Sequence, residues 1–447
     1  MYCKVVPKPS FFLLVLFFLS IFHKATAQDT IGNTDIEAYT LNGSIGLQTH
    51  AYTTTQSIDR RQPLGGLLTA DVDFSVLGFE SGVNVRYSTD DNQLRQSINR
   101  FNFYGSWRWI RLAAGDVNPA YGKFGMRGTT IRGAELNLSP GLFIFDVTAG
   151  RLNRSVIGRI SEDARRPSFE RWIYGLKLGV GHEEKTHFTL SGFYGEDQRD
   201  SLPDSVKTVG YGAGRLNPPS ENLGLTPKFQ VSLFDEVFKI GAETTVSAFT
   251  RDITSPAISA DEAEIPSFLT DLFKPRSSTQ ITYAGVAHTT FEFQQFQLMT
   301  QFERIMPGFE SMGVRQLRDD QQTISVNPSF QLFDRRWTFD GTFSISEDNL
   351  LDNRLSTQTR QNINFNSRVR ITETVMLGFG YTRFNTNTSS EEGTAQGDFN
   401  QLSQVFQLFP AFTITSGSKT HNLSLTGIYQ AMNVEFPMQG GIREDES

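Results

Sequence analysis

Residues 337–346 read Trp337-Thr338-Phe339-Asp340-Gly341-Thr342-Phe343-Ser344-Ile345-Ser346. Large apolar side chains fall on the odd positions, with polar ones on the even. A period of two defines a β-strand with one apolar and one polar face. The same alternation appears at Leu68, Ala70, Val72, Phe74 and Val76 against Thr69, Asp71, Asp73 and Ser75. It returns at Ile363, Phe365, Val369 and Ile371 against Asn362, Asn364, Asn366, Arg368 and Arg370.

Outward from these strands the chain repeats one rhythm. After a first strand near residues 42–54 come about nine hairpins. Their tight turns are expected near Leu77-Gly78, Arg108–Ile110, Ser139–Gly141, Glu183–Lys185, Asp235-Glu236, Gln294-Gln295, Asp334–Arg336, Glu373-Thr374 and Ser416–Ser418. Longer polar loops separate the pairs. Short turns on one side and long loops on the other are the pattern of an antiparallel transmembrane β-barrel, here of about 18–20 strands, with turns facing the periplasm and loops the outside. A soluble array of β-sandwiches is the alternative, but its core would bury Arg, Asp and Glu at a large desolvation cost. Trp107, Trp109 and Trp337, with Phe79, Phe234, Phe238, Phe293, Phe296 and Phe333, flank the turns, as an interfacial aromatic girdle would. Pro227, Pro328 and Pro410 lie inside strands, where proline removes a ladder donor, so local bulges are expected there.

The first residues read as export machinery. Lys4 and Lys8 precede an apolar run, Phe11–Phe22, too short for a membrane helix, and Ala25-Thr26-Ala27 offers a cleavage site. The organisation expected is a signal peptide at 1–27, a short periplasmic segment at 28–41, a barrel at 42–433 and a polar tail at 434–447. Loss of 1–27 takes the formal charge from −7 to −10, which argues against nucleic acid as a partner. It also removes Cys3, the one cysteine, and with it disulfides, thiolate metal sites and cysteine catalysis.

Catalysis finds no support: His50, His182, His187, His288 and His421 have no metal-binding spacing, and no nucleophile elbow is present. No cofactor or metal is expected. Gly210–Gly214 is glycine-rich but lacks the strand–helix setting of a phosphate cradle. The acidic stretch Glu347, Asp348, Asn349, Asp352 and Asn353 lacks the glycine and final Glu of a calcium loop and reads as a solvated loop.

The lumen is the leading candidate for function. Residues expected to line it are Asp71, Asp73, Arg86, Arg108, Glu135, Lys177, Glu243, Glu292, Asp340, Arg368 and Arg370. Their mixed signs argue against strong charge selectivity. Arg154, Arg159, Arg165 and Arg166 make one outer loop a candidate for anionic ligands such as lipopolysaccharide phosphates. Residues 266–273 could form a short apolar piece at the mouth.

Several loop and turn stretches are shared with a known group: Gly115-Asp116, Pro119-Ala120-Tyr121, Gly128, Arg132-Gly133-Ala134-Glu135-Leu136, Ser139-Pro140-Gly141, Gly150-Arg151, Pro219-Ser220-Glu221-Asn222, Pro307–Gly313 and Asp348-Asn349-Leu350. In these the chain resembles large outer-membrane β-barrels of Bacteroidota-type bacteria whose function is unassigned. The resemblance implies a barrel in a Gram-negative outer membrane and names no chemistry. The expected activity is a porin-like or transport channel. The alternative is a surface-exposed interaction or assembly component of an envelope secretion or motility system. Expected partners are outer-membrane lipid and, further, lipopolysaccharide or envelope proteins.

Overall fold

The computed structural model describes residues 39–53, 63–91, 96–157, 167–203, 218–259, 273–315, 317–390, 398–417 and 419–435. The expected signal peptide, most of the 28–41 segment, residues 436–447 of the expected 434–447 tail, Gly210–Gly214, residues 266–272, Arg159, Arg165 and Arg166 lie outside these. The chain divides into Met1–Thr40 and Leu41–Ser447, and the sheet from Leu41 onward belongs to the second.

Twenty strands follow in chain order: β1 Tyr39–Ala51, β2 Leu64–Val76, β3 Phe79–Ser88, β4 Arg100–Trp107, β5 Ile110–Val117, β6 Ile131–Leu138, β7 Phe143–Asn153, β8 Glu170–Gly181, β9 His187–Gln198 and β10 Glu221–Leu233. The second half comprises β11 Phe238–Thr250, β12 Thr279–Phe293, β13 Phe296–Ile305, β14 Gln321–Leu332, β15 Trp337–Asp348, β16 Ser356–Arg370, β17 Val375–Ser390, β18 Phe399–Ser416, β19 Lys419–Ser424 and β20 Gly427–Glu435. Each pairs with its sequence neighbour in one antiparallel meander through β18. Among the described residues β1 and β20 do not pair, so the wall has two open edges.

All nine expected tight turns separate strands at one end of the sheet. The repeated sequences before two of them fold alike. Phe234-Asp235-Glu236 and Phe333-Asp334-Arg335 each place three successive residues at positive φ, between 53° and 70°.

The expected bulges at the strand prolines do not form. β10 meets β11 at Leu225↔Val246 and again, in the same register, at Lys228↔Glu243. The ladder skips only Thr226-Pro227, while β9 pairs through Pro227 without a break. β14 and β15 do the same around Pro328, and β18 around Pro410. Each proline thus drops one pair of contacts on the side where its N–H is missing and leaves the register intact. At Pro410 that gap is what divides β19 from β20. Both lie against β18 in one register, so twenty segments make nineteen lanes. The described irregularity of register is at Arg151/Asn153, between β7 and β8.

The two faces are inverted relative to a soluble sheet. Leu176, Leu178, Phe188, Leu190, Phe229, Ile240, Phe302, Ile324 and Phe343 are exposed, whereas Asp146, Thr148, Thr189, Ser191, Thr226, Glu243 and Thr245 are buried on the opposite face. An apolar exterior over a polar interior is the arrangement a bilayer selects. An aromatic chain crosses the exterior of the last strands: Phe330–Phe339 (4.9 Å), Phe339–Phe365 (6.1 Å), Phe365–Tyr381 (5.3 Å), Tyr381–Phe406 (4.8 Å) and Phe406–Tyr429 (6.3 Å).

The polar face is concave. The backbone N–H of Lys123, six residues beyond β5, donates to Glu243 on β11. In a flat sheet those strands would stand roughly 29 Å apart, at about 4.8 Å per lane. Six residues of chain reach only about 20 Å. The wall must curl to bring them together.

Candidate functional site

Two long loops leave the rim and fold onto this concave face. The first, residues 118–130, joins β5 to β6. It tucks Tyr121, Phe124 and Met126 inward, each at most 1% exposed. A bond from Tyr121 N to Met126 O (2.8 Å) closes its tip. The second, residues 306–320, joins β13 to β14 and buries Phe309 and Met312.

The loops are stitched to each other. Arg127 N donates to Gly313 O (3.0 Å), Thr129 Oγ1 to the same oxygen (2.8 Å) and Ser311 Oγ to Gly125 O (2.9 Å). Phe124 meets Phe309 edge to face at 6.3 Å. Gly313 has to be glycine: a Cβ there would lie 2.2 Å from the carbonyl oxygen of Gly125.

They are also fixed to the wall. The Lys123 ammonium pairs with Glu303 on β13, and its amide with Glu243. Met312 N donates to Asn222 Oδ1 (2.9 Å), and Ser247 Oγ donates to Glu310 O (2.6 Å). Tyr121 fills a notch that Gly175 leaves, since a Cβ at 175 would sit 2.2 Å from its ring. Its hydroxyl is buried without a hydrogen-bond partner among the described residues. Burial, then the nearby Asp146 and Glu135 carboxylates, push the phenol's pKa well above its ordinary value. Lys177 lies 5.9 Å from the same ring and is held by Asp146 (2.5 Å) and Glu183 (2.8 Å).

Of the expected lumen residues, Glu135, Lys177 and Glu243 therefore meet beneath the first loop. The others are spread over uncovered wall. Asp71 accepts from Asn84 Nδ2 (3.2 Å), and Asp73 accepts from the Tyr104 hydroxyl (2.7 Å). Arg86 stands exposed on β3. Glu292 and Asp340 share one row through Glu292↔Gln297, Gln297↔Ser329 and Ser329↔Asp340, beside exposed Arg368 and Arg370. Arg108 is a correction: it occupies the β4–β5 turn at φ 55°, its guanidinium 4.9 Å over the Trp107 ring, so it belongs to the rim and not the wall.

In the expected anionic-ligand loop, Arg154 is described and pairs with Asp91 (3.1 Å). In the stretch 347–353, Asp348 accepts from Arg318 and Gln358 N, and Asn349 fastens Arg354 and Thr357. Those groups serve the loop itself.

Sequence reading missed Tyr121, Lys123, Asn222, Glu303, Met312 and Gly313 as partners in one site. Their one mark is that most sit in the loop stretches carrying the family resemblance. The arrangement is one-sided: the described loops cover the concave side of β8–β13, while Arg86 on β3, Asp340 on β15 and Arg368 and Arg370 on β16 stay exposed.

No protein-family profile matches the chain, and no curated protein does. Among solved structures it is similar to Pseudomonas aeruginosa OccK2 (OpdF) in complex with glucuronate, at 10% identity, over 87% of this chain and 98% of that one, with a TM-score of 0.41. It is similar also to OpdQ (12%, 87% and 97%, 0.40) and to the outer membrane protein OprD (10%, 87% and 95%, 0.37), both of the same organism. At this distance the likeness assigns the chain neither a family nor a solute.

Proposed function

We propose that this chain is a porin-like channel of a Gram-negative outer membrane, of the Bacteroidota-type group its loops resemble, with two inward loops narrowing the pore from one side. The observation that carries this reading is the unequal treatment of the polar face. Loops 118–130 and 306–320 are fastened to β8–β13, while Asp340, Arg368, Arg370 and Arg86 remain exposed elsewhere on that face. A structural plug would cover both sectors; a constriction needs one covered and one open. The tight turns face the periplasm and the long loops the exterior. With both signs of charge beside the constriction, selection is by size and hydrogen bonding more than by net charge. Ion conductance of the purified, folded chain in planar bilayers tests the proposal: discrete current steps are expected, and a sealed membrane containing inserted protein refutes it.

A further inference from the structure

A row of directly opposed residues runs around the convex face at the loop end: Asp116, Arg132, Arg151, Trp172, Glu196 and Glu221. Two residues nearer the turns, the corresponding row is Ala114, Ala134, Ala149, Tyr174, Tyr194 and Leu223. The face is the lipid-facing one: Tyr174 is half exposed on it, and the Arg132 guanidinium lies 5.8 Å over the exposed Phe101 ring. The apolar belt therefore stops between these rows, and charge begins at the height of lipid headgroups.

At the rim over the basic part of that boundary sits a cavity of about 50 Å³ lined by five arginines, Arg132 and Arg151 from the convex row and Arg100, Arg154 and Arg315 from the strand ends and loops around it, with Asp116 as the carboxylate in its lining. Asp116 is buried and fully engaged. Its oxygens take Phe101 N (2.7 Å), Arg132 (2.9 Å) and Arg100 (3.2 Å). Arg151 reaches Glu170 (3.3 Å), and Arg154 reaches Asp91 (3.1 Å). Arg315, delivered by the 306–320 loop, is exposed and makes no hydrogen bond or ion pair among the described residues. Each guanidinium has five N–H donors; Arg132 also donates to Asn99 O (2.7 Å), and those of Arg315 meet no acceptor among the described residues. A single water needs roughly 10–15 Å³ reckoned the same way, so the space holds roughly three to five oxygen-sized atoms.

We infer that this cleft binds a phosphate monoester, and that its place on the lipid boundary selects the headgroup phosphate of an anionic glycolipid around the barrel. Planar guanidinium forks match phosphate oxygens two at a time, and at the edge of the bilayer those bonds are little diluted by water. The inference rests on the membrane-barrel reading above, and its ligand class follows from the five arginines.

Binding to the folded full-length chain in detergent tests it, read by native mass spectrometry with three probes: lipid A bearing its phosphates, the same lipid dephosphorylated, and inorganic phosphate. The phosphorylated lipid is expected to bind at least about tenfold more tightly than the dephosphorylated one. Arg315→Gln, at an exposed site with no described partner to lose, and Arg151→Gln should each weaken it about tenfold while heat-modifiable migration stays that of the folded barrel. Competition by millimolar inorganic phosphate with the same arginine dependence would also support the phosphate site and assign it to a soluble ligand. Equal binding of the two lipids with no binding of phosphate, or affinities unmoved by both variants, overturns the inference. A folded chain that conducts but ignores phosphate sinks this inference alone. One that binds the lipid phosphate and never conducts sinks the channel reading alone.

Discussion

The ion pair between Lys123 and Glu303 is the point at which to test whether the first loop is held against the wall. Lys123→Met keeps the aliphatic stem and the backbone N–H that reaches Glu243. It removes the ammonium alone. Glu303 is then left with Gln301 Nε2 at 3.3 Å as its described side-chain donor. A hydrogen bond to a charged group is worth about 1.5–3 kcal/mol. The Lys123 side chain is 35% exposed and that of Glu303 14%, so solvent screening lowers the figure. About 1–2 kcal/mol remains. A change of that size moves the loop's attached–detached equilibrium about 5- to 30-fold. Single-channel recording reads it directly: the variant should show noisier open currents and longer visits to a wider, more conductive state. Glu303→Gln should do the same, and the double variant should add little to either, because the two side chains act as one contact. Wild-type conductance and noise in both single variants, or strictly additive effects in the double one, would refute the claim that this pair fastens the constriction.

Four further variants test the same geometry. Gly313→Ala forces a Cβ to 2.2 Å from Gly125 O, so it should part the two loops and raise conductance while leaving the β-sheet circular dichroism unchanged. Tyr121→Phe removes a buried hydroxyl with no described partner and should stabilise the protein by about 1 kcal/mol in urea titrations. The phenol's pKa is raised in the folded state, so its contribution is whole below the ordinary tyrosine range and is lost as pH climbs above it; the alkaline loss should be smaller in Tyr121→Phe, as unfolding midpoints measured across alkaline pH would show. Leu176→Arg, in the middle of the apolar exterior, should cost about 2–4 kcal/mol in lipid vesicles. Arg368→Gln, on the exposed stretch of the polar face, should cost under about 0.5 kcal/mol by the same titration.

Much of the wall was legible because alternation is a local property. Trp337–Ile345 states its own outward face, and each tight turn is written in a few neighbouring residues. The prolines were misjudged because a missing N–H matters on one side of a strand only. A one-sided gap costs less than shifting every side chain to the wrong face. The odd lane count was readable, whereas the β19/β20 division depends on Pro410 across the ladder. The constriction was not readable. Lys123 and Glu303 are 180 residues apart, and nothing near Lys123 in sequence says that its loop turns inward. The arginine cleft was half seen: Arg154 was singled out for its own loop, but Arg100, Arg132 and Arg151 come to it through strand register, and Arg315 from a distant loop.

The account depends most on the claim that the solvated sector of the polar face is a continuous path. Planar-bilayer recording of the purified full-length protein tests it directly, with folding established beforehand by heat-modifiable migration. Stepwise currents that scale with salt concentration are the predicted result. Folded, inserted protein that leaves the bilayer sealed would contradict the channel and favour an envelope assembly component without transport of its own.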